Sequence, residues 1–254
     1  MGIIEDKYKK FKSQEKDVWL DKMVWSKGQK MFNSGSYDKF IKSDSMPEIP
    51  PIKNTEDYFK FVDKVSETFI LWAKKIDNTY EESDYIDMGK DIKGFFGEWF
   101  SYRVAEDTIR ILTENKDYVI RYMSPNLIDE DDNGIDFTAI INDEPSVIQV
   151  KWWNKWVIKN KNRKDDEYLS EKIFQSLGYE GQVAGYIDLT PEPKENMFFF
   201  WLGPEEDVYR IINKNPRIKG RVVVFGEDTW NFSVNGKDEY FWSNLWDGLF
   251  KIIE

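Results

Sequence analysis

The stretch that decides the fold runs from Asp131 to Trp156: Asp131-Asp132-Asn133-Gly134-Ile135-Asp136-Phe137-Thr138-Ala139-Ile140-Ile141-Asn142-Asp143-Glu144-Pro145-Ser146-Val147-Ile148-Gln149-Val150-Lys151-Trp152-Trp153-Asn154-Lys155-Trp156. Ile135 to Ile141 and Ser146 to Trp153 are rich in β-branched and aromatic residues, and Asn142-Asp143-Glu144-Pro145 between them is a turn signal. The pattern predicts a β-hairpin. Side chains alternate across a strand, so Gln149 and Lys151 fall on one face and Ile148 and Val150 on the other. With a tight turn, Asp136 starts its strand near the place where Gln149 and Lys151 end theirs. A carboxylate, an amide oxygen and an ammonium then meet at one end of the hairpin.

That trio has a chemical logic. A carboxylate and a neutral amide oxygen are hard ligands suited to Mg²⁺ or Mn²⁺. Magnesium keeps several waters and takes one or two protein carboxylates, with substrate phosphate in another position. The metal makes a bound water more acidic and offsets charge on the phosphate. Lys151 is placed to hold or activate the attacking water and to stabilise the charge that builds on phosphorus.

Asn133-Gly134-Ile135-Asp136, followed by an apolar strand ending Gln149-Val150-Lys151, resembles the core of the PD-(D/E)XK nuclease superfamily. The likeness is greatest to the G-x-D…Q-x-K form of Mrr-type restriction nucleases. Ile135 stands where the eponymous proline would be, and Gln149 stands for the acidic ligand, which removes one negative charge from the site. The resemblance implies an acidic residue on a helix before the hairpin as a further metal ligand. Glu98, in Gly94-Phe95-Phe96-Gly97-Glu98, is the candidate and Glu106 the second choice, with glycines expected to let that helix come close. Asp132, in the acidic run Asp129 to Asp132, is an outer-sphere candidate. Gln182-Val183-Ala184-Gly185-Tyr186 resembles the Q-x-x-x-Y string that follows the Q/E-x-K strand in RecB-like members. On a helix, Gln182 and Tyr186 would share one face.

The bulk numbers narrow the chemistry. The chain has 254 residues, 41% hydrophobic and 17% aromatic, which fits a packed globule. There are no cysteines and no histidines. Thiolate sites, HNH nucleases and Ser-His-Asp triads are excluded, so catalysis would run on carboxylates, lysine, tyrosine and metal. The net charge of −11 at first opposes nucleic-acid binding, but Lys151 to Lys164 holds six basic residues and no acidic one. Lys155, Lys159, Lys161, Arg163 and Lys164, interleaved with Trp residues, form a candidate phosphate-binding tract. The alternative is a solvated loop whose Trp residues sit in the core. No signal pattern opens the chain and no apolar run approaches a membrane span, so the expectation is a cytoplasmic protein.

Along the chain, residues 1–50 read as a helical arm or cap ended by Met46-Pro47-Glu48-Ile49-Pro50-Pro51. Residues 51–254 read as the nuclease-like domain, with the resemblance confined to about 88–202. Thr55 to Asp77 is predicted helical, with Tyr58, Phe61, Val62, Val65, Phe69 and Trp72 as a core stripe. Met88 to Glu114 is predicted as a second long helix. Strands are expected at Asp117 to Met123, Met197 to Leu202, Arg221 to Phe225 and Asp228 to Val234. Helices are expected at Asp165 to Gly178, Glu205 to Asn213 and Tyr240 to Ile253. The order implies an α/β fold: a mixed central sheet flanked by helices, with a restriction-endonuclease-like core and a helical N-terminal extension. The expected function is a Mg²⁺- or Mn²⁺-dependent DNA nuclease. The alternatives are a non-catalytic nucleic-acid-binding or assembly subunit on the same fold, and an unrelated domain in which Asp136 and Lys151 form a structural ion pair. A homodimer or larger assembly is left open.

Overall fold

The computed structural model describes residues 2–24, 37–52, 55–105, 109–113, 116–126, 135–152, 197–202 and 222–225, together with Gly248. The chain divides into two compact units. One comprises Met1–Ser13 and Ser101–Asn235, the other Gln14–Phe100 and Gly236–Glu254.

The first unit is built on a six-stranded sheet whose strands lie in chain order: β1 (Ile109–Thr113), β2 (Lys116–Pro125), β3 (Phe137–Ile141), β4 (Glu144–Trp152), β5 (Met197–Leu202) and β6 (Val222–Phe225). β1 to β4 run antiparallel to their neighbours, whereas β4, β5 and β6 are mutually parallel. The sheet is therefore mixed, and the chain is an α/β protein. β3 is buried at every position, as an apolar strand in mid-sheet must be.

The hairpin forms as its alternation predicts, with Ile141 opposite Glu144. The turn is narrower than the four-residue signal. Asn142 and Asp143 make it alone, at φ of 51° and 67°. Two successive left-handed residues match a type I′ turn, and Asn and Asp tolerate that region better than other side chains. Asn142 also ties the turn to β2: its N–H donates to Val119 O at 3.0 Å and its Oδ1 accepts from Val119 N–H at 2.8 Å. Pro145 already belongs to β4, but it precedes the point where β5 joins at Val147 and Met197, so it removes no bond to β5.

β2 carries an irregularity. Its pairing with β3 advances by one residue between Arg121 and Ser124, and Tyr122 lies there at φ 54°. One extra residue on one strand is a β-bulge. Helix α1 (Gly2–Ser13) packs on β2 and β3, burying Ile4 and Phe11. The Tyr8 ring meets the Tyr122 ring edge-on at 5.6 Å, and Phe11 meets Tyr102 at 5.2 Å.

The second unit contains α2 (Glu15–Val24), α3 (Tyr37–Ile41), α4 (Thr55–Ile76) and the part of α5 (Glu82–Ala105) that precedes Ser101. Of the predicted stripe on α4, Tyr58, Phe61, Val62, Val65 and Phe69 are buried, and Trp72 is half-buried beside the Phe40 and Phe69 rings. Trp19 of α2 is fully buried, edge-on to Trp99 at 5.1 Å and to Phe95 at 6.2 Å. Three hydroxyls reach backbone carbonyls of α5: Tyr37 to Met88 at 3.0 Å, Ser66 to Gly89 at 2.7 Å and Tyr58 to Phe96 at 2.9 Å. No helix among the described residues is long and apolar enough to cross a membrane.

One expectation needs correction. The helix predicted over Met88 to Glu114 starts earlier and stops at Ala105, and Ile109–Thr113 is strand β1, paired with β2 from Ile109 opposite Ile120 to Thr113 opposite Lys116. Ile109, Ile111 and Thr113 are β-branched at alternate positions, and the ladder offered by β2 overrides the apolar rhythm carried over from the helix. On α5 the glycine packed tightly against α4 is Gly89. A Cβ at 89 would stand 2.7 Å from Ile70 Cδ1 and 2.9 Å from Ser66 Oγ, whereas one at 94 meets nothing within 4 Å.

Alanine at these two glycines is therefore expected to act with opposite signs. At 89, overpacking costs about 1–3 kcal/mol, which exceeds the roughly 1 kcal/mol that alanine gains over glycine in a helix. Gly89→Ala should lower stability by about 1 kcal/mol, and Gly94→Ala should raise it by about 0.5–1 kcal/mol. Urea-unfolding midpoints decide the matter. A stabilised Gly89→Ala variant would mean that α4 and α5 are not in close contact there.

Tyr58 adds a pH dependence. Burial holds its hydroxyl well above the ordinary tyrosine value. The folded protein then keeps a proton that the unfolded chain releases above about pH 10. The associated stability is complete below that pH and is lost as the pH rises beyond it. Tyr58→Phe should cost about 1 kcal/mol at pH 7, for the lost bond to Phe96. It should also flatten the fall in stability between pH 9 and 11. Denaturation at a series of pH values reads both effects, and parallel curves for the two proteins would contradict the account.

Candidate functional site

The site is assembled where β3 begins and β4 ends. Asp136 immediately precedes β3. Its N–H donates to Ile148 O at 3.0 Å, so the antiparallel ladder holds its backbone. Its carboxylate does something the alternation pattern does not announce: Oδ2 accepts the N–H of Val150 at 2.5 Å. Val150 is the residue between Gln149 and Lys151. The carboxylate is thus fixed to the β4 backbone between the two other members of the predicted trio. Gln149 is 3% exposed and lies in register with Phe199 of β5. Lys151 is in register with Trp201, two residues beyond Gln149 on the same strand.

The bond to Val150 engages one carboxylate oxygen in a charge-assisted hydrogen bond, which orients the whole group. A carboxylate has about four acceptor positions, so one N–H does not exhaust its capacity to bind a cation. The Asp136 carboxylate and the Gln149 amide both offer hard oxygens, the donor type that suits a divalent ion completing its shell with water and phosphate. Among the described residues no group of three acidic side chains is gathered.

Glu98 lies on α5, in the second unit, and is held there by an ion pair. Lys22 Nζ of α2 approaches its Oε2 at 2.9 Å, with the Lys22 side chain 5% exposed and that of Glu98 20% exposed. Glu106, Asp132, Lys155, Lys159, Lys161, Arg163, Lys164, Gln182 and Tyr186 lie outside the described residues, as does the side chain of Lys151. So do the helices expected at Asp165 to Gly178 and Glu205 to Asn213, and the strand expected at Asp228 to Val234.

Sequence reasoning missed one residue that touches this site. Asn126, at the end of β2, is fully buried. Its N–H donates to Asp136 O at 3.0 Å, its Nδ2 donates to Ile135 O at 2.7 Å, and its Oδ1 accepts from Lys7 Nζ of α1 at 2.9 Å. Nothing in the spacing of Asn126 and Asp136 signals this, because the bulge at Tyr122 sets which β2 residue faces Asp136.

Compared with protein-family models, with curated protein sequences and with solved structures, the chain shows no match.

Proposed function

We propose that the chain is a metal-dependent nuclease that hydrolyses phosphodiester bonds of DNA. The observation that carries this reading is the Asp136 carboxylate, bonded to the β4 backbone at Val150 between Gln149 and Lys151. The order of elements supports it as well: helix α5, strands β1 and β2, the β3–β4 hairpin and then β5, parallel to β4. The resemblance to the PD-(D/E)XK superfamily implies helix, strand, hairpin, helix and strand; the helix expected after the hairpin lies outside the described residues, and a restriction-endonuclease-like core is part of the proposal.

In this reading Asp136 and Gln149 would hold Mg²⁺ or Mn²⁺, which supplies an acidified water and charge neutralisation at the phosphate. Lys151 brings a positive charge to the phosphate oxygens and holds the water in line with the scissile bond. The water oxygen would form a bond to phosphorus and release a proton to solvent, the bond to the leaving oxygen would break, and that oxygen would take up a proton from solvent. Lys155, Lys159, Lys161, Arg163 and Lys164 grip the backbone by charge, and Gln182 and Tyr186 add polar contacts to it. Neutral Gln149 lowers the negative charge of the site, so binding of the metal should be weaker than at a pair of carboxylates.

The test is incubation of circular and end-labelled linear DNA with the purified protein in Mg²⁺, Mn²⁺ or EDTA, beside Lys151→Ala. Cleavage that needs metal and is lost in the variant is expected. Cutting that survives EDTA would sink the mechanism. DNA binding without cutting under either metal would replace it with a non-catalytic nucleic-acid-binding or assembly role on the same fold.

A further inference from the structure

We propose that Asn126, polarised by Lys7, is a positioning residue that sets where the Asp136 carboxylate stands. The inference deepens the nuclease reading, and its link to metal binding rests on that reading.

The argument starts from the backbone. The place of a carboxylate depends on the dihedral angles of its own residue, and these are fixed only when both neighbouring peptide units are held. At Asp136 both are. The unit before it offers the Ile135 carbonyl to Asn126 Nδ2 at 2.7 Å and the Asp136 N–H to Ile148 O at 3.0 Å. The unit after it offers the Asp136 carbonyl to Asn126 N–H at 3.0 Å. A single asparagine therefore grips both sides of Asp136 from the β2 side, while β4 grips its N–H and, through Val150, its carboxylate.

Asn126 suits this task because a primary amide donates and accepts at once. Its acceptor is occupied by a cation: Lys7 Nζ lies 2.9 Å from Oδ1. A positive charge on the amide oxygen draws electron density from the nitrogen, so Nδ2–H becomes a better donor to Ile135. Asn126 is fully buried, so its bond to the Ile135 carbonyl does not compete with water. Helix α1, which carries Lys7, is thereby coupled to the mouth of the hairpin.

The closing experiment has a metal-free arm and a metal arm. In the first, hydrogen exchange of the Val150 amide is followed by NMR in ¹⁵N-labelled wild type, Asn126→Ala, Lys7→Met and Lys7→Arg. Val150 should exchange at least tenfold faster in Asn126→Ala and to a smaller degree in Lys7→Met, with Lys7→Arg near wild type and the Phe200 amide of β5 unchanged. In the second, Mn²⁺ binding is measured by electron paramagnetic resonance, and affinity should fall about tenfold in Asn126→Ala. Gly89→Ala, destabilised elsewhere, should bind Mn²⁺ as wild type does. Unchanged exchange at Val150 in Asn126→Ala would overturn the positioning role whether or not the wild type cuts DNA. Mn²⁺ affinity that falls equally in Gly89→Ala would overturn it too, by reducing the effect to stability. A wild type that binds no Mn²⁺ would remove the metal reading, while a Val150 response would still support the placement of the carboxylate by Asn126.

Discussion

Asp136→Asn should reduce DNA cleavage by about three orders of magnitude while leaving the protein folded. Asparagine keeps an oxygen that accepts the Val150 N–H, so the contact between Asp136 and β4 is retained. What is lost is the anionic charge. Gln149 is neutral, so within the pair of Asp136 and Gln149 the charge comes from Asp136. A bound metal contributes several kcal/mol of charge stabilisation, and about 4 kcal/mol corresponds to roughly 10³ in rate. Asp136→Ala removes the acceptor as well and should cost a further 1–2 kcal/mol of stability, because Val150 then keeps an unmet donor. Cleavage rates beside thermal unfolding of both variants provide the check. Asp136→Asn cutting within tenfold of wild type would rule out Asp136 as the principal ligand.

Lys22→Met should be the most destabilising of the charge changes. The Lys22 side chain is almost wholly buried against Glu98, whose own side chain is 20% exposed. Removing one member of a buried pair strands the other charge and costs 3–5 kcal/mol. Because Glu98 retains some water, the lower end, about 3 kcal/mol, is expected. Replacing both, as in Lys22→Met with Glu98→Leu, should recover most of that loss. Guanidinium unfolding of the two single variants and the double variant gives the coupling. The same position separates structure from chemistry. Glu98→Gln still accepts from Lys22 and should keep the fold. If Glu98 serves as a metal ligand, as the family resemblance implies, that change will depress cleavage strongly. If its task ends with Lys22, Mg²⁺-dependent rates will stay within about twofold of wild type.

The hairpin was legible because period-two alternation and a turn signal agree over Asp136 to Lys151. The α4 core stripe was legible for the same kind of reason, a clear helical period. Two parts were hidden. The grip of Asp136 on Val150 is a side-chain to backbone bond, and backbone groups leave no trace in residue identity. Asn126 was hidden because its partners Ile135 and Asp136 precede the next strand and its register depends on a bulge. Strand β1 was misread because apolar residues continue past Ala105 in a rhythm that a helix would also show, while the alternating β-branched residues were the signal that discriminates. Gly94 drew notice beside Glu98, but Gly89 is the position where space is short.

The left-handed residue in β2 has one more consequence. Upstream of Tyr122, paired residues of β2 and β3 carry numbers that add to 261, and downstream the total is 262. Counted by the first total, the β2 residue abreast of Asp136 would be Pro125, whose ring nitrogen has no hydrogen to give. Counted by the second it is Asn126, which gives its amide hydrogen to the Asp136 carbonyl. The bulge therefore acts as a reading-frame offset written in three dimensions. A single residue, placed well before the site, decides whether a donor or a blank faces the carboxylate-bearing position.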